Sequence, residues 1–341
     1  MREDNRPNDD QLKELYQAAA DFKEAQPWKW LYDSDIICVE NPKDKTIGFC
    51  SVMGRAGEHY ALGVYLGDEG IFGFYNMMEN GDSIPGHQVL HHQNCIMCSF
   101  EDRNTLSTED RKQIKALGLS FRGRNAWPMF RRYEPGFHPW YINEEECIFL
   151  TIALRQALFV ATNVLDSRLS MDMERGKTIL RFSEDNDGRL EWYSKEIQLT
   201  YPFVSYSPVE IIDDVLIQKL KKAGSMGNIT LLAETCYMPS AVQENKGERP
   251  YYPRIFILAE KETGMVMDFE IYESIDDDAD VMLNKLIDIF IENGTPKEIQ
   301  VRGEDKVAIL GDFCKRTGIK LKVVKRLSAI DHMIEGMTQR F

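Results

Sequence analysis

Residues 254–272 read RIFILAEKETGMVMDFEIY, and the fold of the C-terminal half is decided here. Ile255 and Ile257 precede a turn, and Met265, Met267, Phe269 and Ile271 come after it, each set at spacings of two. That alternation predicts an antiparallel hairpin with one buried face. Gly264, at the end of Lys261-Glu262-Thr263-Gly264, supplies the positive φ that a tight turn needs.

Working outward, residues 230–237 (TLLAETCY) read as a strand before the hairpin. After it, Met282, Leu283, Leu286, Ile287, Ile289 and Phe290 form an apolar stripe on a helix over 280–293. The acidic run Asp276–Asp278 lies ahead of that helix, where the dipole favours negative charge. Gly294 and Pro296 end it. Ile299 and Val301 mark a strand over 298–302, and Ile309, Leu310, Phe313 and Cys314 a helix that stops at Gly318. Ile319, Leu321, Val323 and Val324 give the last strand. A strand, a hairpin, then helix, strand, helix and strand predict an α/β domain: a mixed sheet with helices packed on it.

The chain has 341 residues, enough for two domains. Pro202 and Pro208 punctuate a connector, which divides an α+β domain at 1–205 from an α/β domain at 206–341, the latter opening on a helix over 209–223. No run of about 18 apolar residues predicts a membrane span, so no membrane partner is expected. The polar, acidic start, Met1–Asp10, is expected to fray and is not a signal peptide. Seven cysteines without a secreted-type framework fit a reduced, cytoplasmic setting. A formal net charge of −14 argues against a chain that coats nucleic acid non-specifically, while leaving room for a local basic face.

In the N-terminal half, Leu12, Leu15, Tyr16, Ala19 and Phe22 stripe a helix over 11–25. Gly54-Arg55-Ala56-Gly57 joins two strands, 47–53 and 59–66. Because a strand and not a helix comes after Gly57, no helix N-terminus points at an anion, and the turn does not read as a phosphate loop. His87, His91, His92, Cys95 and Cys98 form the one cluster with metal-ligand chemistry. Residues 95–100, however, read as a buried strand that sends Cys95 and Cys98 to opposite faces, so no metal is assigned. Ser107 with Asp110 caps one helix, and Asn143 caps a long one over 144–165. A third hairpin, 177–183 with 189–199, turns through Asp185-Asn186-Asp187-Gly188.

Residues 121–140, FRGRNAWPMFRRYEPGFHPW, interleave Arg122, Arg124, Arg131 and Arg132 with aromatic residues that include Trp127 and Trp140. The mixture suits nucleic-acid binding through phosphate contacts and base stacking. It equally suits core aromatics whose arginines pair with the protein's own carboxylates.

Two family resemblances rest on these residues. Pro27-Trp28, the Gly54 hairpin, Trp127-Pro128-Met129-Phe130-Arg131 and Pro135-Gly136-Phe137-His138-Pro139-Trp140 resemble a group of uncharacterised bacterial proteins in which two domains of unknown function stand in succession. The C-terminal half resembles the RNase H-like core of integrases and transposases. That resemblance implies an Asp on the first strand, a second at the end of the fourth and a Glu on the final helix, together holding two divalent metals about 4 Å apart for phosphoryl chemistry. Glu234-Thr235 stands at the first position, Arg302 at the second and Glu335 at the third. A guanidinium repels a metal. The resemblance therefore implies a degenerate domain that needs no cofactor and binds nucleic acid or a protein partner. The alternative is a nuclease or strand-transfer enzyme that uses Mg or Mn on Glu234, Asp305 and Glu335, with Asp305 in place of the missing acid. A third reading is a purely structural or regulatory interaction protein.

Overall fold

The computed structural model describes residues 5–202 and 205–338. The first four residues of the start expected to fray lie outside that range. The chain divides into two compact units. One comprises Met1–Glu79, His92–Pro135 and Pro139–Phe203, and the other Asn80–His91, Gly136–His138 and Val204–Phe341. Two short segments from before the connector thus pack with the second unit, which no break in composition announces.

The first unit contains α1 (Asp9–Ala25), β1 (Ile37–Glu40), β2 (Ile47–Met53), β3 (Ala61–Leu66), α2 (Gly67–Asn80) and β4 (Cys95–Glu101). It continues with α3 (Thr108–Ala116), β5 (Trp127–Tyr133), α4 (Glu144–Leu165), β6 (Lys177–Asn186) and β7 (Arg189–Gln198). Its strands form one sheet in the order β5-β4-β3-β2-β1-β6-β7. The pairing is antiparallel except between β1 and β6. Alternation splits the sheet between two apolar layers. Ile96, Cys98 and Phe100 of β4 pack with α1 and α4, whereas Cys95 and Met97 pack with Ile71 and Phe74 of α2. Capping boxes start three helices, at Asn8 with Gln11, Ser107 with Asp110 and Asn143 with Glu146. By length and composition α4 would suffice to cross a membrane. Here its Leu150, Ala153, Leu154, Ala157 and Ala161 are fully buried in the first apolar layer.

The second unit contains α5 (Asp214–Lys222), β8 (Thr230–Tyr237), β9 (Arg254–Glu260), β10 (Val266–Tyr272), α6 (Asp278–Asn293), β11 (Glu298–Val301), α7 (Glu304–Thr317), β12 (Lys320–Val323) and α8 (Ser328–Thr338). The order is β10-β9-β8-β11-β12, with β8, β9 and β10 antiparallel and β8, β11 and β12 parallel. Leu231 and Ala233 of β8, with Phe256 and Leu258 of β9, face α6 and α7. Leu232 and Cys236, with Ile255 and Ile257, face Leu327 and, on α8, Ile330 and Ile334. The mixed sheet thus has helices on both faces.

Two local expectations fail, each for a physical reason. The helix expected over 209–223 starts only at Asp214. Asp213 caps it by accepting the Val215 and Leu216 amides, and Val209 N–H donates to the Ala308 carbonyl at 2.9 Å, drawing the preceding residues away. The hairpin's shared face is buried on one strand only. Ile255 and Ile257 are inaccessible, yet Met265, Phe269 and Ile271 are 59%, 52% and 50% exposed. β10 is the edge strand, its register shifts between Val266 and Asp268, and α8 packs over β8 and β9.

Candidate functional site

The parallel pair β8–β11 sets Thr230, Leu231 and Leu232 beside Glu298, Ile299 and Gln300. The same offset carries Arg302, just past the end of β11, to the level of Glu234. Glu234 lies between Leu232 and Cys236 on the α8 face of a largely apolar strand, and is 2% exposed. A carboxylate so deep needs a cation. Arg302 Nε donates to Glu234 Oε2 at 2.9 Å, and Arg302 Nη1 to Asp331 Oδ1 on α8 at 3.0 Å. Lys306 Nζ lies 3.3 Å from Glu234 Oε1 and 2.5 Å from Asp305 Oδ2.

Local structure explains the convergence. Gly303, at φ 92°, turns the chain sharply from β11 into α7. Lys306 then sits in the first turn of α7, where the helix dipole opposes a positive charge, and the neighbouring carboxylates offset it. Burial opposes the charges of both cations. Glu234 and Asp331 outweigh it at Arg302, and Glu234 and Asp305 at Lys306, so both groups titrate above their ordinary values. Asp331 also accepts the Leu327 amide at 3.2 Å, tying α8 to the network.

His87, on the 3₁₀ turn Gly86–His92, belongs to the same unit, and its Nε2 is buried without a hydrogen-bond partner among the described residues. Burial, with Arg302 adding to it and Asp331 opposing, lowers its pKa from 6.5 to about 4.

Of the three acids that the resemblance aligns with a metal site, Glu234 and Asp305 meet at Lys306. Glu335 is exposed, and the ion pair on α8 is made one turn earlier by Asp331. On the opposite face of the sheet, Thr235 donates to Asp278 Oδ2 at 2.8 Å. Asp278 also takes Arg254 Nε at 2.9 Å and the Tyr272 hydroxyl at 2.7 Å.

The run at 121–140 contains strand β5, paired with β4. Arg131 grips Asp110 with two bonds of 3.0 and 2.6 Å, and Arg132 Nε lies 3.2 Å from Glu146. Trp127 packs on Phe121 and Trp140 on Tyr141, at ring centroid distances of 5.9 and 5.4 Å. Arg122 and Arg124 are exposed. Cys95 and Cys98 lie in separate apolar layers, and burial pushes the Cys95 thiol up to about 12. Among the described residues, no group of three or more His, Cys, Asp or Glu side chains is placed to hold a metal.

The sequence reading missed Lys306 and Asp331. Lys306 was visible as a cation at the start of the expected helix, where the dipole disfavours positive charge. Asp331 was visible directly after Ile330, on the flank of the inward apolar stripe of α8.

No curated protein matches the chain. Residues 13–181 match the family model described as Domain of unknown function (DUF7309), and residues 216–338 that described as Domain of unknown function (DUF6930). Over most of its length the chain is therefore similar to two successive domains of unknown function.

Proposed function

We propose that the second unit is a degenerate RNase H-like domain that binds a nucleic acid or protein partner in the bacterial cytoplasm and cleaves nothing. Its sheet order supports this reading: counted within the unit it runs third, second, first, fourth, fifth, with only the second strand antiparallel to the first, fourth and fifth. Seven free, buried cysteines suit a reducing compartment.

The observation that carries the reading is Arg302, bonded to both Glu234 and Asp331 where a metal-bridging acid would stand. Two divalent metals need several carboxylate oxygens facing one point. Here a guanidinium and an ammonium hold that point, and a metal would have to displace both. The donor set does not fit the metals. Exposed Glu335 does not change this balance, and Asp305 is itself engaged by Lys306.

The test combines two assays on the full chain. Single- and double-stranded DNA and RNA should stay intact with Mg or Mn, and neither metal should raise the melting temperature, since a ligand of the native state stabilises by mass action. Metal-dependent cleavage that disappears in a folded Glu234→Gln variant would overturn the proposal.

A further inference from the structure

The first unit contains a cavity of about 650 Å³ between the C-terminal end of α1, the β2–β3 turn and the loop before β5. Sites for small ligands measure roughly 300–1,000 Å³, so this one exceeds what a lone inorganic ion requires. Lys23, Lys29, Arg55 and Arg124 line it beside Trp28 and Tyr60, and no carboxylate does. That lining is unusual in a chain with 55 acidic and 41 basic residues.

Several buried cations elsewhere are neutralised by carboxylates, although buried Arg181 bonds to Gln156 and Ser194 instead. Arg131 faces Asp110, Arg254 faces Asp278, and Arg302 and Lys306 share Glu234. Among the described residues, the four cations of the cavity make no ion pair with a carboxylate. Burial lowers the pKa of Lys23, the signature of an ammonium whose charge is not compensated.

Two of these cations are also held in place, while Lys29 and Arg124 are exposed at the rim. Lys23 Nζ donates to the Asn125 carbonyl, and Arg55 Nη1 to the Lys29 carbonyl at 3.0 Å. The Arg55 guanidinium lies 4.0 Å from the centre of the Tyr32 ring. Asp102 accepts the Asn125 amide at 2.8 Å and fixes the third loop without lining the cavity. The backbone around the cavity is left-handed at Gln26, Gly54, Gly57 and Asn125, with φ of 56°, 136°, 82° and 49°. At Gly54 only glycine fits, because a Cβ would lie 2.6 Å from Tyr60 Cδ1 and 3.0 Å from Trp28 Cγ. Conformations of this kind concentrate where a site must be pre-shaped.

We infer that this cavity binds a phosphate-bearing small molecule of nucleotide size, its phosphates held by Lys29, Arg55 and Arg124 and the remainder set against Tyr60 and the edge of Trp28. Cations gathered on a concave surface focus their field on an incoming anion, and guanidinium forks match phosphate oxygens. The inference is independent of the proposal for the second unit, since none of its residues touches the Glu234 network.

The experiment is calorimetric titration of the full chain with adenosine diphosphate, inorganic pyrophosphate and adenosine. Adenosine diphosphate should bind, more weakly as salt rises, and adenosine should not. Lys29→Glu with Arg55→Glu should weaken binding by roughly tenfold or more per reversed charge. Arg124→Glu, on an exposed side chain, should weaken it with the melting temperature kept, separating lost binding from lost folding. Absence of binding by both phosphate probes at millimolar concentration, or affinity unchanged in both variants, would overturn the inference. So would capture of a single-stranded oligonucleotide that depends on these residues while both phosphate probes fail, which would make the surface a nucleic-acid site.

Discussion

Arg302 Nε donates to Glu234 Oε2 at 2.9 Å between the ends of two parallel neighbouring strands. Both side chains are largely withdrawn from water, at 17% and 3% exposure, so the pair is not the weakly contributing surface kind. Its partners are shared: Lys306 also reaches Glu234, and Asp331 also reaches Arg302.

Removing Arg302 takes one of two cations from buried Glu234 and the guanidinium from Asp331. Arg302→Met should therefore cost about 3–5 kcal/mol in denaturant unfolding. Arg302→Met with Glu234→Gln should cost clearly less than the sum of the two single changes, because the pair then leaves together. Additive losses would show that the two side chains act independently.

Much of this second unit is legible in the sequence, because its signals are local. The alternation at Ile255 and Ile257, the stripe from Met282 to Phe290 and the stop at Gly294 are each read from neighbouring residues. The ion-pair network is less legible because it is assembled by register, which brings together residues 68 positions apart. Glu234 announces itself as an acid in an apolar strand, but its choice among Arg302, Lys306 and other cations is made by the sheet. The cavity of the first unit escapes for the same reason. Lys23, Arg55 and Arg124 come from three separate loops or helix ends, and Gly54–Gly57 reads as an ordinary turn when only the strand next to it in the chain is weighed. The exposure of Phe269 and Ile271 escapes because periodicity reports a face and not whether a helix covers it.

Asp278 anchors the other face of the same sheet. Arg254 is 3% exposed and its charge is matched by Asp278, which burial makes necessary and which holds the guanidinium above its ordinary pKa. Asp278→Ala leaves Arg254 charged and unpaired, and frees the Thr235 and Tyr272 hydroxyls. The expected loss is again about 3–5 kcal/mol. Equilibrium unfolding in urea measures it, and a loss under about 1 kcal/mol, the scale of a surface pair, would contradict the burial argument.

All seven cysteines are free and buried. Burial raises the thiols of Cys38, Cys95, Cys147, Cys236 and Cys314 to about 12. Thiolate, not thiol, is the reactive form. A thiol reagent at pH 8 should label the native chain only at the rate of its opening, and all seven sites at once in denaturant. Rapid stoichiometric labelling of the native chain at any one cysteine would locate a thiol that is reachable in the folded state.

His87 gives the second unit a pH response whose sign is fixed. Burial, with Arg302 in support and Asp331 in opposition, brings its pKa to about 4, against 6.5 for an ordinary histidine. The folded state thus holds His87 neutral where the unfolded chain already binds a proton. Stability rises with pH wherever the unfolded state binds more protons. The contribution of neutral His87 is therefore complete above about pH 6.5 and is lost as pH falls from there towards about 4. A glutamine at this position keeps polarity and similar reach but does not titrate. His87→Gln should flatten the fall in unfolding free energy between those two pH values and leave the slope below pH 4, where carboxylates titrate, largely as it was. Unfolding curves of both proteins at half-unit pH steps provide the comparison. An unchanged slope would mean that the His87 side chain takes up its proton in the folded chain as readily as in the unfolded one.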